Sequence, residues 1–128
     1  MSLSGKTTVV VGASRGLGRG IARAFADAGA AVVAVARTAQ ALAELDATSA
    51  NIRTEVADAA DTTVAWSLVD HYEPEVLLLV AGANPVMRPL QHQTWETFSV
   101  NWHTDVKIAF TWLREALLKP LPPGSRVV

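Results

Sequence analysis

The chain has 128 residues, 50% hydrophobic and 18% charged, with a mean hydropathy of +0.24 and a net charge of -1 from 11 basic and 12 acidic residues. This excludes intrinsic disorder, which needs low hydrophobicity and high net charge, and leaves no basic footprint for nucleic acid. No apolar run reaches the roughly 20 residues that span a bilayer; Met1-Ser2-Leu3-Ser4-Gly5-Lys6 lacks a secretory core, and a cysteine-free chain fits the cytosol.

Residues 7–11, Thr-Thr-Val-Val-Val, are a β-branched run ended by Gly12 and predict a buried strand. A helical pattern follows over 18–28, with Leu17, Ile21, Ala24 and Phe25 expected on its inner side and Gly29 in the place of a helix-ending glycine. Residues 31–36 predict a second buried strand. Thr38 is placed to cap a short helix carrying Leu42 and Leu45. Ile52, Thr54 and Val56 alternate with Arg53 and Glu55, which predicts a third strand with one wetter face.

Asp61 is placed to cap a helix bearing Val64, Leu68 and Val69. Residues 76–80, Val-Leu-Leu-Leu-Val, form the most apolar strand and end at the turn Ala81-Gly82-Ala83-Asn84-Pro85. Thr94 opens a long helix over 94–118, whose expected inner stripe is Phe98, Trp102, Val106, Phe110, Leu113 and Leu117. On that stripe Trp102 is expected in the core, with Trp95 or Trp112 in an interface, where tryptophan is enriched. Residues 126–128 begin a fifth strand. Strands alternating with helices predict an α/β fold, a doubly wound parallel sheet joined by right-handed crossovers.

The chemistry concentrates at Gly12-Ala13-Ser14-Arg15-Gly16-Leu17-Gly18, between the first strand and the first helix. Such a turn lets backbone approach a pyrophosphate and aims helix N–H groups at it; side chains at Gly16 or Gly18 are expected to hold the phosphate off. It is not a P-loop, because Leu17 stands where a glycine is needed and Gly18 is followed by Arg19. An NAD site usually has an acid at the end of the second strand, bonding the ribose hydroxyls. Here the residues are Ala36-Arg37-Thr38, and the guanidiniums of Arg37 and Arg15 suit a 2′-phosphate, so NADP(H) is favoured over NAD(H).

These residues resemble the short-chain dehydrogenase/reductase family along the whole chain: Gly5-Lys6 before the first strand, then the glycine turn, then Ala36-Arg37-Thr38, which looks like the NADP-preferring carbonyl-reductase branch. The resemblance implies a Rossmann-type domain over 1–128 and an oxidoreductase moving hydride between NADP(H) and a carbonyl or alcohol. It implies cofactor contacts from Gly12, Ser14, Arg15, Gly16, Leu17, Gly18, Arg37 and Thr38. Asp58 falls where the family's adenine-contacting aspartate lies, although its spacing also suits the cap assigned to Asp61. The family ends its fourth strand with Asn-Asn-Ala-Gly. Leu79-Val80-Ala81-Gly82 keeps the backbone contacts of Ala81 and Gly82 to the nicotinamide-side ribose and loses both asparagines.

Asn101 resembles the family's catalytic asparagine, one residue closer to Trp95 than the pattern has it. An amide in mid-helix is a poor helix former, and in the family its carbonyl holds a water of a proton relay. The family also uses a serine after the fifth strand and a Tyr-x-x-x-Lys pair as acid/base. The one tyrosine, Tyr72, is followed by Glu73-Pro74-Glu75-Val76 and is expected to be structural.

His71, His92 and His103 lack metal-ligand spacing, and Ser14 and Ser125 lack an adjacent base. A homo-oligomer, dimer or tetramer, follows from the resemblance, because the family's long helices pack between subunits. The severed fifth strand is expected to continue, which makes 1–128 the N-terminal half of a longer reductase. The rival expectation is a non-catalytic nucleotide-binding or dimerisation module of the same fold.

Overall fold

The computed structural model describes residues 2–128, which leaves Met1 of the opening stretch outside the description. Five parallel strands form one sheet in the order β3-β2-β1-β4-β5, with β1 at Thr7–Val11, β2 at Ala31–Ala36, β3 at Ile52–Val56, β4 at Val76–Leu79 and β5 at Arg126–Val127. Helices α1 (Gly16–Asp27), α2 (Ala39–Asp46) and α3 (Thr62–Tyr72) make the early crossovers. The chain between β4 and β5 carries α4 (Trp95–Phe98), a π-helical turn (Trp102–Val106) and α5 (Lys107–Leu118). This is the doubly wound α/β fold that the alternation of elements predicts.

Period-two alternation divides the core. Val9, Val11, Val33, Val35 and Leu77 point to one face and pack with Ala65, Leu68 and Val69 of α3 and Ile108, Trp112 and Ala116 of α5. Val10, Val32, Ala34 and Leu78 point to the other and pack with Ala22 and Ala26 of α1 and Leu42 and Leu45 of α2. β1 and β2 are thus apolar on both faces, as central parallel strands must be. No helix among the described residues is long and apolar enough to cross a membrane.

Local signals behave largely as their chemistry dictates. Asp61 accepts the Thr63 N–H at 2.8 Å and caps α3. Thr94 and Thr97 form a reciprocal capping box at α4. Gly29 adopts φ +93°, and Ala30 N–H reaches back to the Phe25 carbonyl at 3.0 Å, which closes α1. Thr38 stands at the N-cap of α2 without a side-chain bond to it.

Three expectations about helix faces are corrected. α1 buries Gly18, Ala22 and Ala26, keeps the expected Ile21 and Phe25 half-buried against the same cluster, and leaves Ala24 exposed and Leu17 71% exposed, because Gly18 rather than Leu17 meets the strand end. The long helix over 94–118 is interrupted by a turn at Ser99 and by the π-helical turn. The third correction reverses its stripe. Phe98, Trp102, Val106, Phe110, Leu113 and Leu117 are all exposed, and α5 faces the sheet with Ile108, Thr111, Trp112, Glu115 and Ala116. Trp112, expected at the periphery, is fully buried with its indole N–H on the Ala59 carbonyl at 2.9 Å, whereas Trp102, expected in the core, is 63% exposed. The cause is that α5 has apolar residues on two faces, and periodicity alone does not say which one meets the sheet.

Candidate nucleotide site

β1 lies between β2 and β4, so successive crossovers run one way from β1 to β2 to β3 and the other way to β4. In an open parallel sheet, ligands bind beyond the carboxyl ends of the strands at this reversal. A cleft of about 890 Å³ opens there, within the range of small-molecule and cofactor sites. It is lined by Gly12, Ser14, Arg15, Gly16, Leu17 and Gly18 after β1, by Arg37 and Thr38 after β2, by Asp58 after β3, and by Ala81 and Gly82 after β4. Residues up to 70 positions apart in sequence are thereby brought to one hollow.

The glycines do different work from one another. Gly12 has φ +92°, and a Cβ there would stand 2.5 Å from Ala81 Cα, so the glycine turn and the turn after β4 are in backbone contact. A Cβ at Gly18 would stand 1.9 Å from the Gly12 carbonyl oxygen. Gly18 therefore lets α1 seat against the strand end, rather than only keeping a phosphate clear. Gly16 has φ +54° and open space around it, so conformation, not crowding, selects glycine there. The N-cap residue of α1, Arg15, makes no side-chain cap bond. The unpaired N–H groups of the first turn, with the positive end of the helix dipole, thus face the cleft without a protein acceptor from the cap. That donor set suits a pyrophosphate.

Arg15 and Arg37 are exposed cations on the cleft wall. Arg15 Nη2 donates to Asn84 Oδ1 at 3.3 Å and so spans from the α1 start to the loop after β4. Asp58 Oδ1 accepts the Ala60 N–H at 3.0 Å, and the helix cap belongs to Asp61, which settles the choice that spacing left open.

Asn101 does not line the cleft; it bonds to Ala83, which does. Its Nδ2 donates to the Ala83 carbonyl at 2.7 Å and to Asp105 Oδ2 at 3.0 Å, while Asp105 Oδ1 accepts the Ala83 N–H at 2.7 Å. The sequence pattern assigns Asp105 no such role. The only local cue is the i, i+4 spacing of Asn101 and Asp105, which does not point to Ala83.

Tyr72 lies away from the cleft, in a separate hollow of about 720 Å³ shared with Thr7, Ala31 and Ile52. Its hydroxyl donates to Glu55 Oε1, and burial, then that bond, push the phenol pKa up. This bond ties α3 to β3. No group of three or more His, Asp or Glu able to hold a metal occurs among the described residues.

Residues 6–119 match the family model described as short chain dehydrogenase. L-fucose dehydrogenase of Oryctolagus cuniculus is 34% identical over 125 residues, covering 88% of this chain and 44% of that protein. L-xylulose reductase of Bos taurus is 30% identical over 126 residues, covering 95% of this chain and 52% of that protein. Among solved structures, a blue fluorescent protein from a metagenomic library, in complex with NADPH, superimposes with TM-score 0.79 at 27% identity, over 99% of this chain and 56% of the other. The chain spans about half the length of the curated relatives named here.

Proposed function

Because the chain belongs to the short-chain dehydrogenase/reductase family, we propose that residues 1–128 are the cofactor-binding part of an NADP(H)-dependent oxidoreductase acting on a carbonyl or alcohol. The observation that carries this reading is the single cleft that gathers the glycine turn, Arg37, Thr38, Asp58, Ala81 and Gly82 at the reversal of strand order. When bound, the nicotinamide cofactor supplies or accepts the hydride. The backbone of 12–18 and the start of α1 bind the pyrophosphate, Asp58 the adenine, and Ala81 and Gly82 the ribose next to the nicotinamide.

Arg37, Thr38 and Arg15 hold the 2′-phosphate. Arg15 Nη2 bonds Asn84 Oδ1 at 3.3 Å, which leaves its other N–H groups free for the phosphate. The NADPH bound to the fluorescent relative supports the choice of cofactor. Asn101 serves the proton relay through its backbone carbonyl, and its side-chain bond to Ala83 fixes the helix against the cleft floor. The acid/base set itself is not among these 128 residues, since the one tyrosine is Tyr72. The cysteine-free sequence supports a cytoplasmic setting for this enzyme.

The exposed stripe of Phe98, Trp102, Phe110, Leu113 and Leu117 supports a homo-oligomer, since apolar residues in contiguous array mark association surfaces. The same stripe, with Leu79-Val80 in place of two asparagines, also motivates the second reading of a non-catalytic nucleotide-binding or dimerisation module. Coding sequence past Val128 that contains a serine and then Tyr-x-x-x-Lys favours the enzyme; its absence favours the module.

The cofactor is tested by titrating NADPH and NADH into the protein. NADPH is expected to bind at least about tenfold more tightly, and Arg37→Asp to erase that preference. Equal affinities in the parent refute the phosphate role of both arginines.

A further inference from the structure

We propose that Asp105 is a positioning residue for the nucleotide cleft: its carboxylate, through Ala83, fixes the turn that forms one wall. This rests on the cofactor reading given above and adds a determinant of affinity lying outside the cleft lining.

The turn after β4 has no means of its own to stay in place. Leu79, Val80, Ala81, Gly82 and Ala83 carry no polar side chain. One side of the turn is fixed by contact, since Ala81 sits against Gly12. The other side is fixed by a closed ring of hydrogen bonds. Ala83 N–H donates to Asp105 Oδ1 at 2.7 Å, Asn101 Nδ2 donates to Asp105 Oδ2 at 3.0 Å, and the same Nδ2 donates to the Ala83 carbonyl at 2.7 Å. Both backbone polar groups of Ala83 and both N–H bonds of the Asn101 amide are consumed in this ring.

Two further features make room for the carboxylate. A Cβ at Gly82 would lie 3.1 Å from the Asp105 carboxyl group, so the glycine admits the acid to the turn. The π-helical turn over Trp102–Val106 contains Asp105 and interrupts the α-helical register between the ring's two side chains. No cation pairs with Asp105 among the described residues. Its hydrogen-bonded partners are instead the Ala83 N–H and the Asn101 amide. Charge-assisted bonds of this kind are shorter and stronger than neutral ones. Ala83, Gly82, Ala81 and the neighbouring Thr104 all line the cleft, so a loosened ring changes the shape of the cleft wall directly.

The test compares the parent with Asp105→Ala, Asp105→Asn and a remote control, Asn51→Ala, which loses a bond to the Ala26 carbonyl well away from the turn. NADPH affinity is measured by fluorescence titration and amide exchange at Ala83 by NMR. Asp105→Ala is expected to weaken NADPH binding by about tenfold and to speed exchange at Ala83. Asp105→Asn keeps an acceptor for Ala83 and is expected to restore part of both. Asn51→Ala is expected to lower the unfolding midpoint and change neither. Parent-like affinity or parent-like Ala83 exchange in Asp105→Ala overturns the proposal. A parent that does not bind NADPH refutes the cofactor reading instead, and Ala83 exchange still decides whether Asp105 holds the turn.

Discussion

Helices α1 and α5 are each 12 residues long and cover opposite faces of the same sheet, yet they pack on opposite terms. α1 meets the strands through Gly18, Ala22 and Ala26, close enough for a Gly18 Cβ to collide with the Gly12 carbonyl. α5 meets them through Ile108 and Trp112, and turns Phe110 and Leu117 outward at 67% and 82% exposure. The small-residue helix has one buried face and starts at the cleft. The large-residue helix has two apolar faces, only one of which is used by the sheet. Close approach sets the geometry of the glycine turn; surplus apolar residues leave α5 with a face that the sheet does not cover.

Substitutions on the two helices break this comparison if it is wrong. The largest effect is expected at Trp112→Ala, a loss of about 3–5 kcal/mol in denaturant unfolding, because a filled site and the bond to Ala59 disappear together. Gly18→Ala is expected to cost about 3 kcal/mol, the upper end for overpacking, and to weaken NADPH binding with it. Gly20→Ala in the same helix has open space and no positive φ, and is expected to stabilise by about 0.5–1 kcal/mol. If Gly18→Ala behaves like Gly20→Ala, the close approach of α1 is not real.

Caps give smaller differences. Asp61→Ala is expected to lower stability by about 1 kcal/mol, and Thr38→Ala, with no cap bond to lose, by much less. On the outer face of α5, Phe110→Ser is expected to shift stability by less than about 0.5 kcal/mol and to lower the sedimentation coefficient by disfavouring association. A large loss of stability from Phe110→Ser would mean that this face is packed within the chain.

The smallest effect concerns Tyr72. Its pKa is raised in the folded state by burial and by Glu55, so its contribution to stability is full below the unfolded pKa. It declines as pH rises through about 10 toward the folded value. Tyr72→Phe is expected to flatten the alkaline limb of stability against pH, and titration of the one tyrosine reads the shift directly.

How much was legible follows from what each signal depends on. Thr7–Val11, the glycine turn and the Asp61 cap were readable because each rests on residues within a few positions of one another. Gly29 was readable for the same reason. The cleft was readable residue by residue through the family pattern, since Arg37, Asp58 and Ala81 each sit at a strand end. The inner face of α5 was not, because an apolar stripe at Phe98, Trp102 and Phe110 is as regular as the one that the sheet selects. Asp105 was not either, since its partners Ala83 and Gly82 lie 22 and 23 positions away and carry no polar side chain.

By itself the sequence determined the alternation of strands and helices, the glycine turn and the absence of an acid after β2, because these depend on local sterics and on charge at fixed spacing. Only the tertiary structure decided which face of α5 is core, that Gly18 serves backbone packing, and that Asn101 and Asp105 close a ring on Ala83. Those outcomes depend on which surfaces the crossovers bring within contact distance, and no local pattern encodes a distance between elements.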